Sequence, residues 1–258
     1  FKCEYCGKNH KVSIRFIEKG KVEEISEVLK KYFSERNKIL ILSDNITYKV
    51  AGKKIEDILR RVYSVKSVIL NPEGEKRVTA QERYLGRIEE NLSGEKIIIT
   101  AGTGTITDLG KITGDKFNIP VLSFPTAASM NGYTSGVAAY IKSGVKFTVS
   151  VKPAEGVFMD YEIIKNAPVE LTKAGFADSF AKGFANADWK ISSIVTGESF
   201  CPLPYKIVSE AERKYKDRGK LLLRKNEELI EKLKNYDDEF AGIINTAKKR
   251  GKKLMYLA

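Results

Sequence analysis

The run from Ile97 to Lys111, Ile-Ile-Ile-Thr-Ala-Gly-Thr-Gly-Thr-Ile-Thr-Asp-Leu-Gly-Lys, constrains this chain more than any other. Three β-branched residues lead into a glycine turn, and apolar residues then return at Ile106, Leu109 and Ile112. That order predicts a buried strand, a tight turn and the start of a helix. Free backbone N–H groups and the helix dipole at such a junction favour an anion, above all a phosphate. Gly102 and Gly104 would let the backbone approach that phosphate with no Cβ in the way. The usual dinucleotide fingerprint wants a third glycine at position 107, where this chain has Thr107. A plain turn from strand to helix is therefore the competing reading of this stretch alone.

The flanking pattern supports an α/β fold. Val12 to Ile17 alternates like an edge strand, and 22–34 carries a helical stripe. Lys38 to Ser43 reads as a buried strand ending at Asp44, and a second stripe runs through Val50, Ile55, Leu59 and Val62. Ser67–Leu70 is a strand and 78–92 a helix, with Gly94 as the break before the strand at 97. Strands alternating with helices imply a mostly parallel sheet, whose ligands gather at the carboxyl ends of its strands. Asp44, Gly102 and Thr126 all fall at such ends. Tyr140 to Val151 predicts a hairpin turning at Ser143-Gly144. After Asp160 strand-like runs nearly stop. Asn166-Ala167-Pro168 is expected to cap a helix bearing Asp178 and Lys182 on one face, and stripes follow at 205–217, 224–236 and 238–250. The expected division is a nucleotide-binding α/β domain over 1–160 and a helical domain over 161–258.

Composition narrows the class. The formal net charge is +12, but acidic residues interleave with basic ones, and no basic run or aromatic platform suggests nucleic-acid binding. No apolar run approaches the roughly 20 residues that span a bilayer, so no stable membrane insertion is expected and a cytoplasmic location is the default. Cys3-x-x-Cys6 with His10 has metal-like spacing; with Cys201 the only other thiol, the sequence-based expectation is at most a partial site, or free thiols in a reducing compartment.

Two further stretches carry a resemblance: Phe124-Pro-Thr-Ala-Ala-Ser-Met-Asn-Gly-Tyr-Thr-Ser135, and Ala174-Gly-Phe-Ala-Asp-Ser-Phe-Ala-Lys182 with Ala187-Asp-Trp189. Together with 97–111 they resemble the sn-glycerol-1-phosphate dehydrogenase family, in particular its bacterial AraM-like branch. That family lies within the dehydroquinate synthase and iron-containing alcohol dehydrogenase superfamily. The likeness covers roughly positions 1 to 200, and a similar Cys- and His-containing leader occurs in AraM-like relatives. It implies a dehydroquinate synthase-like fold, in which a Rossmann-like parallel sheet domain is followed by an all-helical one.

The resemblance also implies an activity: reduction of dihydroxyacetone phosphate to sn-glycerol 1-phosphate by NAD(H) or NADP(H), a step in phospholipid metabolism. Gly102, Gly104, Thr105, Ile106, Thr107 and Asp108 would wrap the pyrophosphate, with Asp108 in the first helical turn fixing the loop. Asp44 is either a loop cap or a ribose contact; with the resemblance, ribose contact is favoured, and its charge leans towards NAD. Thr126, Ala127, Ala128, Ser129 and Ser135 would line the cofactor. Asp178 matches a metal ligand for zinc, nickel or iron, which in the family is completed by two histidines. Asn131 stands where the family places an acidic substrate contact. Lys142 or Lys146 is offered as a holder of the substrate phosphate, and a homodimer is expected. His10 is the chain's one histidine, so Asp178 lacks its family partners within this sequence. The alternatives are a nucleotide-binding relative without catalysis and, less well matched, a dehydroquinate-synthase-like lyase.

Overall fold

The computed structural model describes residues 2–10, 14–34 and 36–215. Its main sheet contains β1 (Phe16–Lys19), β2 (Lys38–Asp44), β3 (Ser64–Leu70), β4 (Ile97–Gly102) and β5 (Val121–Pro125). A separate antiparallel hairpin, β6 (Val137–Lys142) and β7 (Val145–Ser150), precedes the sixth strand of that sheet, β8 (Gly156–Met159). The order across the sheet is β1-β8-β5-β4-β2-β3, and every neighbouring pair is parallel. The helices are α1 (Ile25–Phe33), α2 (Asn45–Thr47), α3 (Lys53–Leu59), α4 (Glu82–Glu90), α5 (Gly104–Lys116), α6 (Tyr161–Lys165), α7 (Val169–Thr196) and α8 (Pro202–Tyr215).

Period-two alternation in the central strands builds two cores. Ile39, Ile41, Ile97, Ile99, Leu122 and Phe124 pack with Ile25 and Leu29 of α1 and Ile55 and Leu59 of α3. The alternate residues Leu40, Leu42, Ile98 and Val121 pack with Tyr84, Leu85 and Ile88 of α4 and Ile106 and Leu109 of α5. A strand buried on both faces must be apolar throughout, as Ile39-Leu40-Ile41-Leu42 is. Each such side chain contributes about 1.5–3 kcal/mol gross on burial, so β2 and β4 anchor the sheet.

Some local expectations shift. Among the described residues the edge strand spans Phe16–Lys19, and the helix of 78–92 is confined to 82–90. The stripe from Val50 to Val62 is broken, because Asp44 caps a short helix. Its Oδ1 accepts from Ile46 N (2.9 Å) and Thr47 N (2.7 Å), while Thr47 Oγ1 accepts from Asp44 N at 3.1 Å. A π-turn over Tyr48–Gly52 follows, leaving Val50 and Val62 exposed. The hairpin reverses where expected, with Ser143 at φ 49° and Gly144 at φ 77°, the left-handed pair that a two-residue hairpin turn requires. Asn166 closes α6 by donating to Glu162 O (2.7 Å) and does not cap α7, whose N-cap Pro168 makes no side-chain bond.

The described residues form two compact units. Residues 14–128 and 132–167 carry the sheet; 2–10, 129–131 and 168–215 carry α7 and α8. The stripes expected at 224–236 and 238–250 lie outside the described residues.

Candidate functional site

In the sheet unit, β2 is flanked by β3 on one side and β4 on the other. The strand order therefore reverses between β2 and β4, and ligands of open α/β sheets bind outside the carboxyl ends at such a point. Asp44 ends β2, Gly102 ends β4 and Pro125 ends β5. Gly102 is in register with Pro125, and Thr126 N donates to Gly102 O at 3.1 Å. The fold thus brings Asp44, the 102–104 turn and Thr126 to one end of the sheet.

The N-terminus of α5 is open. Thr103 makes no side-chain cap, no acidic residue lies in the first turn, and the first helical bond runs from Thr107 N to Thr103 O. The N–H groups of Gly104, Thr105 and Ile106 have no partner within the helix by its geometry, and they carry its positive dipole end. The Thr107 hydroxyl is buried without a hydrogen-bond partner. Gly102 has a further reason of its own: a Cβ there would fall 2.6 Å from Ile106 Cβ, so the glycine lets the turn close on its own helix. The close packing of helix on sheet, usually given by the third fingerprint glycine, comes from Gly110 and Gly114. A Cβ on Gly110 would run into Thr100 Cγ2, and one on Gly114 would lie 2.5 Å from Val121 Cγ2 and 2.6 Å from Ile119 O. An uncapped helix end after a glycine turn fits the pyrophosphate of a dinucleotide.

Asp108 lies in the second turn of α5, not the first. Its carboxylate sits 3.1 Å from Lys111 Nζ and accepts from Ala139 N at 3.2 Å. Lys111 was invisible to motif reading, yet it is wholly buried and donates to Val137 O (2.6 Å), Gly132 O (3.2 Å) and Ser135 Oγ (3.2 Å). The one available signal was the i, i+3 spacing of Asp108 and Lys111. Burial pushes the Asp108 carboxyl up and the Lys111 ammonium down, each shift opposed by the other's charge. Asp108, Lys111 and Ser135 thereby lock the 132–139 segment onto α5. Lys142, offered above as a phosphate holder, pairs with Glu82 at 3.0 Å.

In the helical unit, α7 presents Asp178 to Asn131. Asn131 N donates to Asp178 Oδ2 at 2.8 Å, and Asn131 Nδ2 donates to the Asp178 carbonyl at 3.2 Å. The two positions expected at the substrate are therefore adjacent. Lys182 follows one turn along, its ammonium pushed down by burial against the pull of Asp178. Among the described residues, the only group of three or more metal-capable side chains excludes Asp178. The described residues around Asp178 do not by themselves fit the family's catalytic ion.

That one group is Cys3, Cys6, His10 and Cys201, and it corrects the expectation of a partial site at the leader. All four ligand atoms lie within 4.8 Å of one another. Cys201 could not be joined to the leader from sequence, because 198 residues separate it from Cys3.

The sequence also matches known proteins. The family described as iron-containing alcohol dehydrogenase matches residues 16–168. The chain belongs to the iron-containing alcohol dehydrogenase family. Within this family it resembles NAD(P)-dependent glycerol-1-phosphate dehydrogenases. It is 37% identical over 177 residues to one from Bacillus velezensis, covering 68% of this chain and 45% of the relative. It is 32% identical over 182 residues to one from Pyrococcus horikoshii, covering 70% and 51%. The chain spans about half the length of these curated relatives. A probable glycerol dehydrogenase from Sinorhizobium meliloti shares the fold at TM-score 0.65 and 18% identity, over 86% of this chain and 63% of that one. Among the described residues no helix is long and apolar enough to cross a membrane.

Proposed function

We propose that this chain binds NAD(H) at the β2–β4 switch point, as part of an oxidoreductase acting on dihydroxyacetone phosphate and sn-glycerol 1-phosphate. The observation that carries the reading is the uncapped N-terminus of α5 behind the Gly102–Gly104 turn, at the carboxyl edge shared with Asp44 and Thr126. The first-turn N–H groups of Gly104, Thr105 and Ile106 hold the pyrophosphate. Asp44 spends only Oδ1 on its cap, and Oδ2 receives the adenosine ribose hydroxyls. Thr126, Ala127, Ala128 and Ser129 line the nicotinamide side; Thr107, Asp108 and Ser135 fix the loops around it. The bound cofactor supplies the hydride. Asn131 and Asp178, already hydrogen-bonded to each other, orient the small phosphorylated substrate, and the location is cytoplasmic.

Titration of NADH fluorescence tests this. Gly104→Val puts a branched side chain at the pyrophosphate and should weaken binding by about tenfold or more, roughly 1.4 kcal/mol. Asp44→Asn keeps the helix cap, since Asn caps as well as Asp. It should narrow a preference for NADH over NADPH that like-charge repulsion sets at about 1–2 kcal/mol. Equal NADH affinity in wild type and Gly104→Val would overturn the site assignment.

A second reading, nucleotide binding without turnover by this chain, is favoured by one observation. The only histidine, His10, stands 3.0 Å from Cys6 Sγ, in the cysteine cluster and not beside Asp178.

A further inference from the structure

The leader and the start of α8 belong to one compact unit, and they bring Cys3, Cys6, His10 and Cys201 together. Residues 2–10 form a tight knuckle. Cys3 N donates to Lys8 O and Gly7 N to Cys3 O, both at 2.9 Å, and Lys2 bridges Asn9 in antiparallel fashion. Gly7 takes φ 67°, a left-handed conformation that turns the chain immediately after Cys6 and carries it back towards His10. Cys201 stands directly before Pro202, at the N-terminal end of the 14-residue α8. The leader meets this helix a second time, where Lys206 Nζ lies 4.4 Å from the centroid of the Tyr5 ring.

The distances are close to those of a coordination shell. Tetrahedral zinc, with Zn–S of about 2.3 Å and Zn–N of about 2.0–2.1 Å, has ligand-to-ligand edges of roughly 3.5–3.8 Å. Cys3 Sγ and Cys201 Sγ are 3.6 Å apart, and Cys6 Sγ and His10 Nε2 are 3.0 Å apart. No ligand pair exceeds 4.8 Å. A disulfide would need about 2.0 Å between sulfurs, and all three cysteines are free. Cys3 and Cys201 are buried, at 2% and 6% exposure. Two buried thiols, a third beside them and an imidazole make a soft, nitrogen-and-sulfur donor set.

From this arrangement we infer that Cys3, Cys6, His10 and Cys201 form a structural zinc site of the Cys3His type that fastens the leader to the start of α8. The backbone supports it. The N–H groups of Cys6 and Tyr5 hydrogen-bond to the Cys3 sulfur. The Leu203 N–H hydrogen-bonds to the Cys201 sulfur in the same way. Four protein ligands leave no open position, so the site stabilises the fold and takes no part in hydride transfer. It is also separate from Asp178, which contributes nothing to the cluster.

The test is elemental analysis of the purified chain, with cobalt substitution on the same protein. The expected result is one zinc per chain, together with a thiolate-to-cobalt charge-transfer band and the intense visible bands of a tetrahedral centre. Cys6→Ser and Cys201→Ser should each lose the ion and melt at lower temperature, while Asp178→Ala should keep it. The cobalt spectrum of the wild-type chain decides the matter even if a cysteine variant fails to fold. A metal-free chain with reduced thiols, a Cys3–Cys201 disulfide, or an ion that disappears in Asp178→Ala would each overturn the inference.

Discussion

Lys111 shows what a single buried charge does in this fold. Its ammonium has no access to water, and it gathers Asp108, Ser135 and the carbonyls of Gly132 and Val137 around itself. Lys111→Met would leave the Asp108 carboxylate without its buried counter-ion, and should cost about 3–5 kcal/mol in chemical denaturation. In an Asp108→Asn background the same change should cost less, since no charge is stranded. The pH dependence has a definite sign. Burial holds the folded Asp108 above its unfolded pKa of about 3.9, so its contribution favours the fold below that value and fades as pH rises through the folded pKa. Relative to Asp108→Asn, the wild type should therefore lose stability from about pH 4 upward. A flat difference between the two proteins across that range would show that burial does not raise the Asp108 carboxyl in the fold. None of this was legible from residues: a lysine three places after an aspartate looks like a solvated helix pair, and only the fold buries it.

At the scale of elements, the strand–turn–helix at 97–111 was readable because apolar period, glycines and helix start all point the same way. The hairpin turn at Ser143-Gly144 was readable for the same reason, a left-handed turn between two β-rich runs. The segment 45–62 was not. There the Asp44–Thr47 capping box and the π-turn that follows decide the path, and side-chain bonding of this kind leaves no apolar period to read. Two helical glycines separate packing from propensity. Gly114→Ala drives a methyl into Val121 and the Ile119 carbonyl, and should destabilise by about 1–3 kcal/mol. Gly86→Ala in α4 meets nothing within 4 Å and should stabilise by about 0.5–1 kcal/mol. Thermal melts of the two variants check the pair, and a stabilised Gly114→Ala would refute the close seating of α5 on the sheet.

For the whole molecule, binding and turnover make different demands. Binding a dinucleotide needs only the sheet edge, where Asp44, the 102–106 turn and Thr126 are assembled. Turnover needs more, because hydride transfer to a ketone leaves negative charge on oxygen that some group must stabilise. Asp178 is the position that the resemblance would make a metal ligand, and its carboxylate already accepts the Asn131 N–H. Lys182 is nearby in sequence, but burial works against its charge. The 258-residue chain should therefore bind NADH yet oxidise it with dihydroxyacetone phosphate at a negligible rate. Its metal content should sit wholly at the cysteine cluster, so that Asp178→Ala leaves the zinc stoichiometry unchanged. Absorbance at 340 nm beside elemental analysis reads both quantities on the same sample. Robust turnover abolished by Asp178→Ala would mean that the helical unit assembles a catalytic centre from groups beyond those described. The division of labour between a nucleotide-binding edge and a structural metal would then give way to a complete enzyme.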